Sequence, residues 1–206
     1  MKSIHDYLFS TQGLNDFKGV KIMQLKNSNK GYGLTAIAIH WIFALTFIGL
    51  FGIGIYMVEL TYYDTLYKTL PDLHRSTGVV LAGLLIFRLI WRVVNTQPKP
   101  EPTLKKYEIL GAELVHWALY LLPLAIMISG YLITTADGSS IDVFGLFEVP
   151  AILPAQKGRE DIAGDIHFYL AYATMGIVLL HTLAALKHHF IDHDKTLVKM
   201  FKTTDT

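Results

Sequence analysis

The chain has 206 residues, 52% of them hydrophobic, with 18 basic and 17 acidic side chains and a mean hydropathy of +0.38. This composition excludes an ordinary water-soluble domain, and a net charge of only +1 gives no ground for expecting a nucleic-acid partner. With no cysteine there can be no disulfide, no Fe–S ligation and no thioether attachment of haem, so any cofactor must be held by histidine, methionine or packing.

Residues 1–30 are polar and mixed and lack the apolar core of a secretory signal, so no cleaved leader is expected. They are read as an N-terminal extension, disordered or upstream of an alternative start at Met23. Four apolar runs follow, at about Leu34–Val58, Leu73–Val94, Leu114–Thr134 and Ile166–Phe190, each long enough to cross ~30 Å of hydrocarbon as a helix. The expected fold is therefore all-α, an integral membrane four-helix bundle over residues 31–195 with a short tail at 196–206.

Orientation is read from lysine and arginine. Lys2, Lys18, Lys21, Lys26 and Lys30 precede the first run, Arg88, Arg92, Lys99, Lys105 and Lys106 surround the loop after the second, and Lys187, Lys195, Lys199 and Lys202 follow the last. Only Lys68, Arg75, Lys157 and Arg159 lie on the other side, so both termini are expected in the cytoplasm. The long loop Ala136–Asp165 then lies outside, and its apolar stretch IDVFGLFEVPAIL, broken by Gly145 and Pro150, is too short to span and is read as an interfacial lid.

Depth pairs the histidines. His167 and His181 are fourteen residues apart, almost four whole turns, so they share one helix face with ~21 Å between them. His40 stands early in a helix leaving the cytoplasm and His181 late in one returning to it, so they share the inner half. His74 and His167 both stand early in helices entering from outside and share the outer half. Two bis-histidine sites stacked across the membrane follow, with no carboxylate or thiolate to suit zinc or copper. Two axial imidazoles do complete a haem iron, and a six-coordinate iron points to electron transfer.

Neighbouring residues bear on that reading. Gly49, Gly52, Gly54, Gly78, Gly83 and Gly176 either let a flat macrocycle approach or are small residues at helix contacts. Arg88 is fourteen residues beyond His74, at the height of the inner site, where it and Arg92 either pair with haem propionates or snorkel to headgroups. Arg75 is placed to do the same outside. His116 opens the third helix near the inner pair and is read as a propionate or quinone-site residue in preference to a ligand; His188 lies on a face similar to that of His181, at the end of the last span.

The runs Ala38–Trp41 (AIHW), Leu73–Val80 (LHRSTGVV), Arg88–Arg92 (RLIWR), His116–Pro123 (HWALYLLP) and His181–Phe190 (HTLAALKHHF) resemble the bacterial cytochrome b561 family over roughly residues 29–200. The resemblance implies a four-helix cytochrome of the inner membrane carrying two haems b, with His40, His74, His167 and His181 as axial ligands. It also implies a quinone, ubiquinone in some members, as electron partner. His188, Lys187, Arg92 and Lys99, with His116 nearby, make the cytoplasmic end the preferred quinone location.

The leading expectation is a quinone-linked oxidoreductase of superoxide oxidase type, taking electrons from superoxide or a soluble redox donor at the outer face. Nine acids face four bases there, which at long range would repel an anion, although Arg75, Lys157 and Arg159 could form a local funnel. The alternatives are an electron-transfer membrane anchor for a separate dehydrogenase or hydrogenase, and a haem-free metal or proton transporter.

Overall fold

The computed structural model describes residues 25–203; the stretch 1–24, with His5, Met23, Lys2, Lys18 and Lys21, and the last three residues lie outside the described residues. Four long helices account for most of the chain: α1 (Leu34–Met57), α2 (Thr69–Val94), α3 (Lys106–Thr134) and α4 (Arg159–Phe190). All four are long and apolar enough to cross a membrane. The shortest has 24 residues, about 36 Å at 1.5 Å per residue, enough to cross the hydrocarbon with some tilt.

Three helices begin earlier than their apolar runs, α4 by seven residues and α3 by eight. The cause is local. Glu160 and Asp161 occupy the first turn of α4, where the free N–H groups favour negative charge. Glu108 accepts a hydrogen bond from the Lys105 N–H (2.9 Å), closing the first turn of α3 before the apolar stretch starts.

Large apolar side chains such as Ile42, Leu45, Leu110, Leu179 and Leu180 point outward, as a lipid solvent requires. Inside, α3 lies most closely against α4 and α1 against α2, and the two pairs join along α2 and α3. The core is a septum of Phe43, Phe47, Leu50, Leu81, Leu85, Tyr120 and Ile126, with Leu170 and Met175 packed on it. Pro123 is buried within α3 and costs one rung of its hydrogen-bond ladder.

An even number of crossings places the start of α1 and the end of α4 on one face, here the terminal face. On it Asn27 Nδ2 donates to the Thr96 carbonyl (2.9 Å), the Lys99 N–H to the Asn29 carbonyl (3.0 Å) and Trp41 Nε1 to the Met200 carbonyl (2.7 Å). Lys199 also pairs with Glu101 (2.7 Å). These contacts tie the N-terminal approach, the α2–α3 loop and the C-terminal tail together.

The opposite face carries what periodicity alone could not reveal. Within the apolar loop segment, β1 (Ile141–Val143) and β2 (Phe147–Val149) form an antiparallel hairpin, Ile141 opposite Val149. Phe144 and Gly145 turn it with φ of 55° and 69°, the signs a tight primed turn needs. Ser76 Oγ of α2 donates to the Asp142 carbonyl (3.2 Å) and accepts from the Phe144 N–H (3.3 Å), fixing the hairpin two residues from His74. Arg159 clamps the carbonyls of Thr135 (2.7 Å) and Pro154 (3.0 Å), and Tyr131 Oη binds the backbone of Pro150 and Ile152.

Candidate functional site

Two imidazole pairs stand one above the other in the bundle. Toward the terminal face, the rings of His40 (α1) and His181 (α4) have centroids 6.5 Å apart with planes at 60°. Toward the hairpin face, His74 (α2) and His167 (α4) stand 6.2 Å apart at 67°. One face of α4 supplies a member of each pair. The apolar septum lies between them.

These separations can be compared with what a metal needs. A metal–imidazole bond of about 2 Å, with the ring centre about 1.1 Å beyond the nitrogen, would place two imidazole centroids on opposite sides of a metal about 6.2 Å apart. Both pairs match that spacing. His116 of α3 approaches His181 to 5.5 Å between centroids, short of the same distance.

The hairpin-face pair has the more completely built surroundings. His167 Nδ1 lies 2.9 Å from the Ile126 carbonyl and 3.1 Å from Ser129 Oγ, and Ser129 itself donates to the Ile126 carbonyl (2.8 Å). A carbonyl can only accept, so Nδ1 carries the proton and the Nε2 lone pair is left for a metal. Glycine makes room for both rings. A Cβ on Gly130 would stand 3.2 Å from His167 Cε1, and one on Gly54 would stand 3.4 Å from His74 Cε1.

Of the six glycines read from sequence as either macrocycle neighbours or helix contacts, only Gly54 borders an imidazole. Gly49, Gly52, Gly78, Gly83 and Gly176 have nothing within 4 Å of a Cβ built on them, so they are not close helix contacts. Gly130 and Ser129 went unnoticed in the sequence, because the third span has no histidine at that depth to draw attention to it. The Ser-Gly step within an apolar run was the available signal.

At the terminal face Arg88 Nη2 donates to His40 Nδ1 (2.9 Å), with its guanidinium over the rings of Phe43 (5.4 Å) and Tyr120 (5.0 Å). Arg92 lies over Trp117 and Tyr120, 5.7 Å from each ring. Among the described residues neither arginine has a carboxylate partner. Arg75, by contrast, pairs with Asp72 one turn before it, an exposed contact of small energetic weight.

Lys187 and His188 enter a separate network. Lys187 Nζ reaches Glu108 (2.9 Å) and Asp192 (2.7 Å), while His188 Nδ1 lies 2.7 Å from Asp192 and 3.3 Å from Asp194. Lys187 beside it holds the Asp192 carboxyl below the usual carboxylate range. Glu108, His188 and Asp192 are close enough to share a cation, but the Lys187 ammonium already lies against both carboxylates. The Lys99 side chain is exposed, and its carbonyl accepts from Lys199 (3.3 Å).

Comparison with known proteins gives the site a context. Residues 31–203 match the family described as prokaryotic cytochrome b561. The chain is 46% identical over 178 residues to Cytochrome b561 homolog 2 of Escherichia coli (strain K12), covering 86% of this chain and 95% of that protein. It is 31% identical over 182 residues to the Probable superoxide oxidase CybB of Yersinia pestis (84% and 96% covered), and 27% identical over 173 residues to Cytochrome b561 homolog 1 of E. coli (82% and 96%).

Proposed function

We propose, from the premise that the chain belongs to the prokaryotic cytochrome b561 family, that this membrane electron-transfer protein holds two haems b and links an outer-face donor to the quinone pool. His40 with His181 and His74 with His167 are the axial pairs. The observation that carries this reading is their matched ring separation, 6.5 and 6.2 Å, at two depths. Family membership makes haem b the resident cofactor, which sets aside the haem-free transporter. Bound haem supplies a one-electron iron couple with no open coordination position.

The protein's own groups then have defined tasks. Ile126 and Ser129 hold the His167 tautomer, and Gly54 and Gly130 give the outer imidazoles their places. Arg88 can only donate, so its present bond requires a lone pair on His40 Nδ1. Were His40 to hold a haem through Nε2, its ring proton would sit on Nδ1 and Arg88 would be free to meet a propionate, with His116 as a further pocket residue. We place the terminal face in the cytoplasm of a bacterial inner membrane, a reading supported by the eleven basic residues that lie on that side among the described residues.

Superoxide as donor and ubiquinone as acceptor form the finer reading, supported by the 31% identical relative whose name describes a superoxide oxidase. Arg75 and Arg159 are already engaged, by Asp72 and by two carbonyls, which leaves Lys157 as the freest base of an attracting funnel. A soluble redox protein remains the competing donor. A pyridine haemochrome assay with reduced-minus-oxidised spectra on purified protein tests the core of the proposal. Two haems b per chain are expected; one, or none in folded protein supplied with haem, would overturn it. Reduction by superoxide, followed by reoxidation with a soluble ubiquinone, then tests the donor and acceptor.

A further inference from the structure

The seam between α2 and α3 is open to the lipid at the terminal-face half of the bundle. A narrow apolar groove runs along it, with Leu85, Leu89 and Tyr120 as its floor and Trp117, Leu121 and Leu124 along its rim. Leu85 and Tyr120 are 3% and 8% exposed, whereas Leu121 is 59% exposed and faces where acyl chains would lie. The groove is wholly hydrocarbon and aromatic along its length. Its end is not: Arg92 lies over both Trp117 and Tyr120, and Arg88 lies over Tyr120 from the bundle side.

Arg88 is bonded to His40 and, on the reading above, would serve a haem propionate; Arg92 has no carboxylate partner among the described residues, and a guanidinium in an otherwise apolar span is costly unless an electron-rich group meets it. An aliphatic lipid tail offers none. A phospholipid headgroup does, and at the end of α2 its phosphate could reach Arg92, but its paired acyl chains bring no polar group to Tyr120 beside that arginine. The ligand that joins a long unsaturated hydrocarbon tail to a ring with two carbonyl oxygens is an isoprenoid quinone. Its tail suits the groove, and its ring oxygens suit donors placed at the groove's end.

The position also serves electron transfer. Tyr120 is one helical turn beyond His116, whose ring is 5.5 Å from that of His181, so the groove's end adjoins the terminal-face pair. The residues expected from sequence to receive quinone, Lys187, His188 and Lys99, fit less well. Lys187 is held by two carboxylates, and Lys99 is out in solvent. Arg92 and His116 remain from that expected set.

We propose that the α2–α3 groove is the quinone site, entered sideways from the bilayer, with the isoprenoid tail along Leu85, Leu89, Leu121 and Leu124 and the ring beside Tyr120 and Arg92. This rests on the reading that quinone is the membrane partner. The test is photolabelling of the haem-loaded protein in lipid nanodiscs with an azido-ubiquinone, followed by peptide mapping. Label is expected on residues 85–92 and 117–124 and is expected to be displaced by excess unlabelled ubiquinone. Leu121→Trp fills the groove from its lipid side; it should weaken the labelling and raise the quinone KM about tenfold, the equivalent of about 1.4 kcal/mol, with haem content and spectra unchanged.

Displaceable label confined to residues 187–202 or to the hairpin face, while added quinone still reoxidises the reduced haems, would overturn the groove and leave the quinone-linked function standing. Groove label that excess quinone cannot displace would identify an acyl-chain channel and also overturn it. If quinone neither reoxidises the haems nor displaces label anywhere, the functional reading falls, and the groove assignment with it.

Discussion

Gly130→Ala should separate the two haem sites. The added methyl would stand 3.2 Å from His167 Cε1 and 3.4 Å from Nδ1, and that ring cannot retreat without giving up its bonds to Ile126 and Ser129. Overpacking of this kind costs about 1–3 kcal/mol, and losing a hydrogen bond adds about 0.5–1.5 kcal/mol. Together these weaken haem retention at the hairpin-face site by roughly ten- to two-thousandfold. Gly54→Ala places its methyl 3.4 Å from His74 Cε1, at the edge of ordinary contact, and should cost less than about 1 kcal/mol. Gly111→Ala meets nothing within 4 Å and serves as the control. Haem per chain by pyridine haemochrome, with potentiometric titration to separate the two couples, gives the readout. Equal loss of both haems in Gly130→Ala, or a stronger effect of Gly54→Ala, would refute the reasoning from geometry.

His181→Ala should remove the terminal-face haem and spare the other, since the two pairs share no ligand; a folded variant lacking both would argue against the pairing. Ser129→Ala keeps the Ile126 carbonyl as acceptor for His167, so haem should stay while the hairpin-face couple moves upward by up to about 60 mV, measured by redox titration. Arg159→Gln releases the carbonyls of Thr135 and Pro154, and limited proteolysis should then cut within 136–158, where the parent chain resists. The Asp192 carboxyl is held low by Lys187, so their contact persists above the usual carboxylate range and is lost only as pH falls through the lowered value. Asp192→Asn should reproduce at neutral pH the looser C-terminal tail that the parent shows in acid, as read by proteolysis of residues 195–203.

The four spans were legible because a lipid solvent demands long apolar runs, and histidine depth was legible because an even-numbered bundle fixes the direction of each helix. The helix starts were not, since Glu108 and Glu160 extend α3 and α4 by capping and dipole effects that hydropathy does not register. The hairpin was hidden for another reason: its strands, IDV and FEV, alternate apolar and acidic residues over only three positions each, too few to register as strands, and Phe144 occupies a left-handed position that a glycine or asparagine would have advertised. At the site, the sequence offered Arg88, Arg92 and His116 as one undivided cluster. Only side-chain directions distinguish Arg88 against His40 from Arg92 over Trp117.

That division matters because of what stands between the imidazole pairs. Phe43, Phe47, Leu50, Leu81, Leu85 and Ile126 offer no group that could carry a proton; Tyr120, whose phenol could, stands beside Arg88 and Arg92 at the terminal-face side of the septum, and Thr174, wholly buried, spends its hydroxyl on the Leu170 carbonyl. A proton crossing this septum would face the full cost of an unpaired charge in hydrocarbon, whereas an electron needs no polar path through it. On the proposed reading, the protons taken up on quinone reduction must come from the terminal face, where His116, Arg92 and the Glu108–Lys187–Asp192 network stand. Electrons arriving from the hairpin face and protons arriving from the cytoplasm would make each turnover move charge across the membrane. In sealed vesicles of uniform orientation, a potential-sensitive dye should therefore respond to quinone reduction driven from outside, and a turnover without that response would place donor and quinone on the same side of the septum.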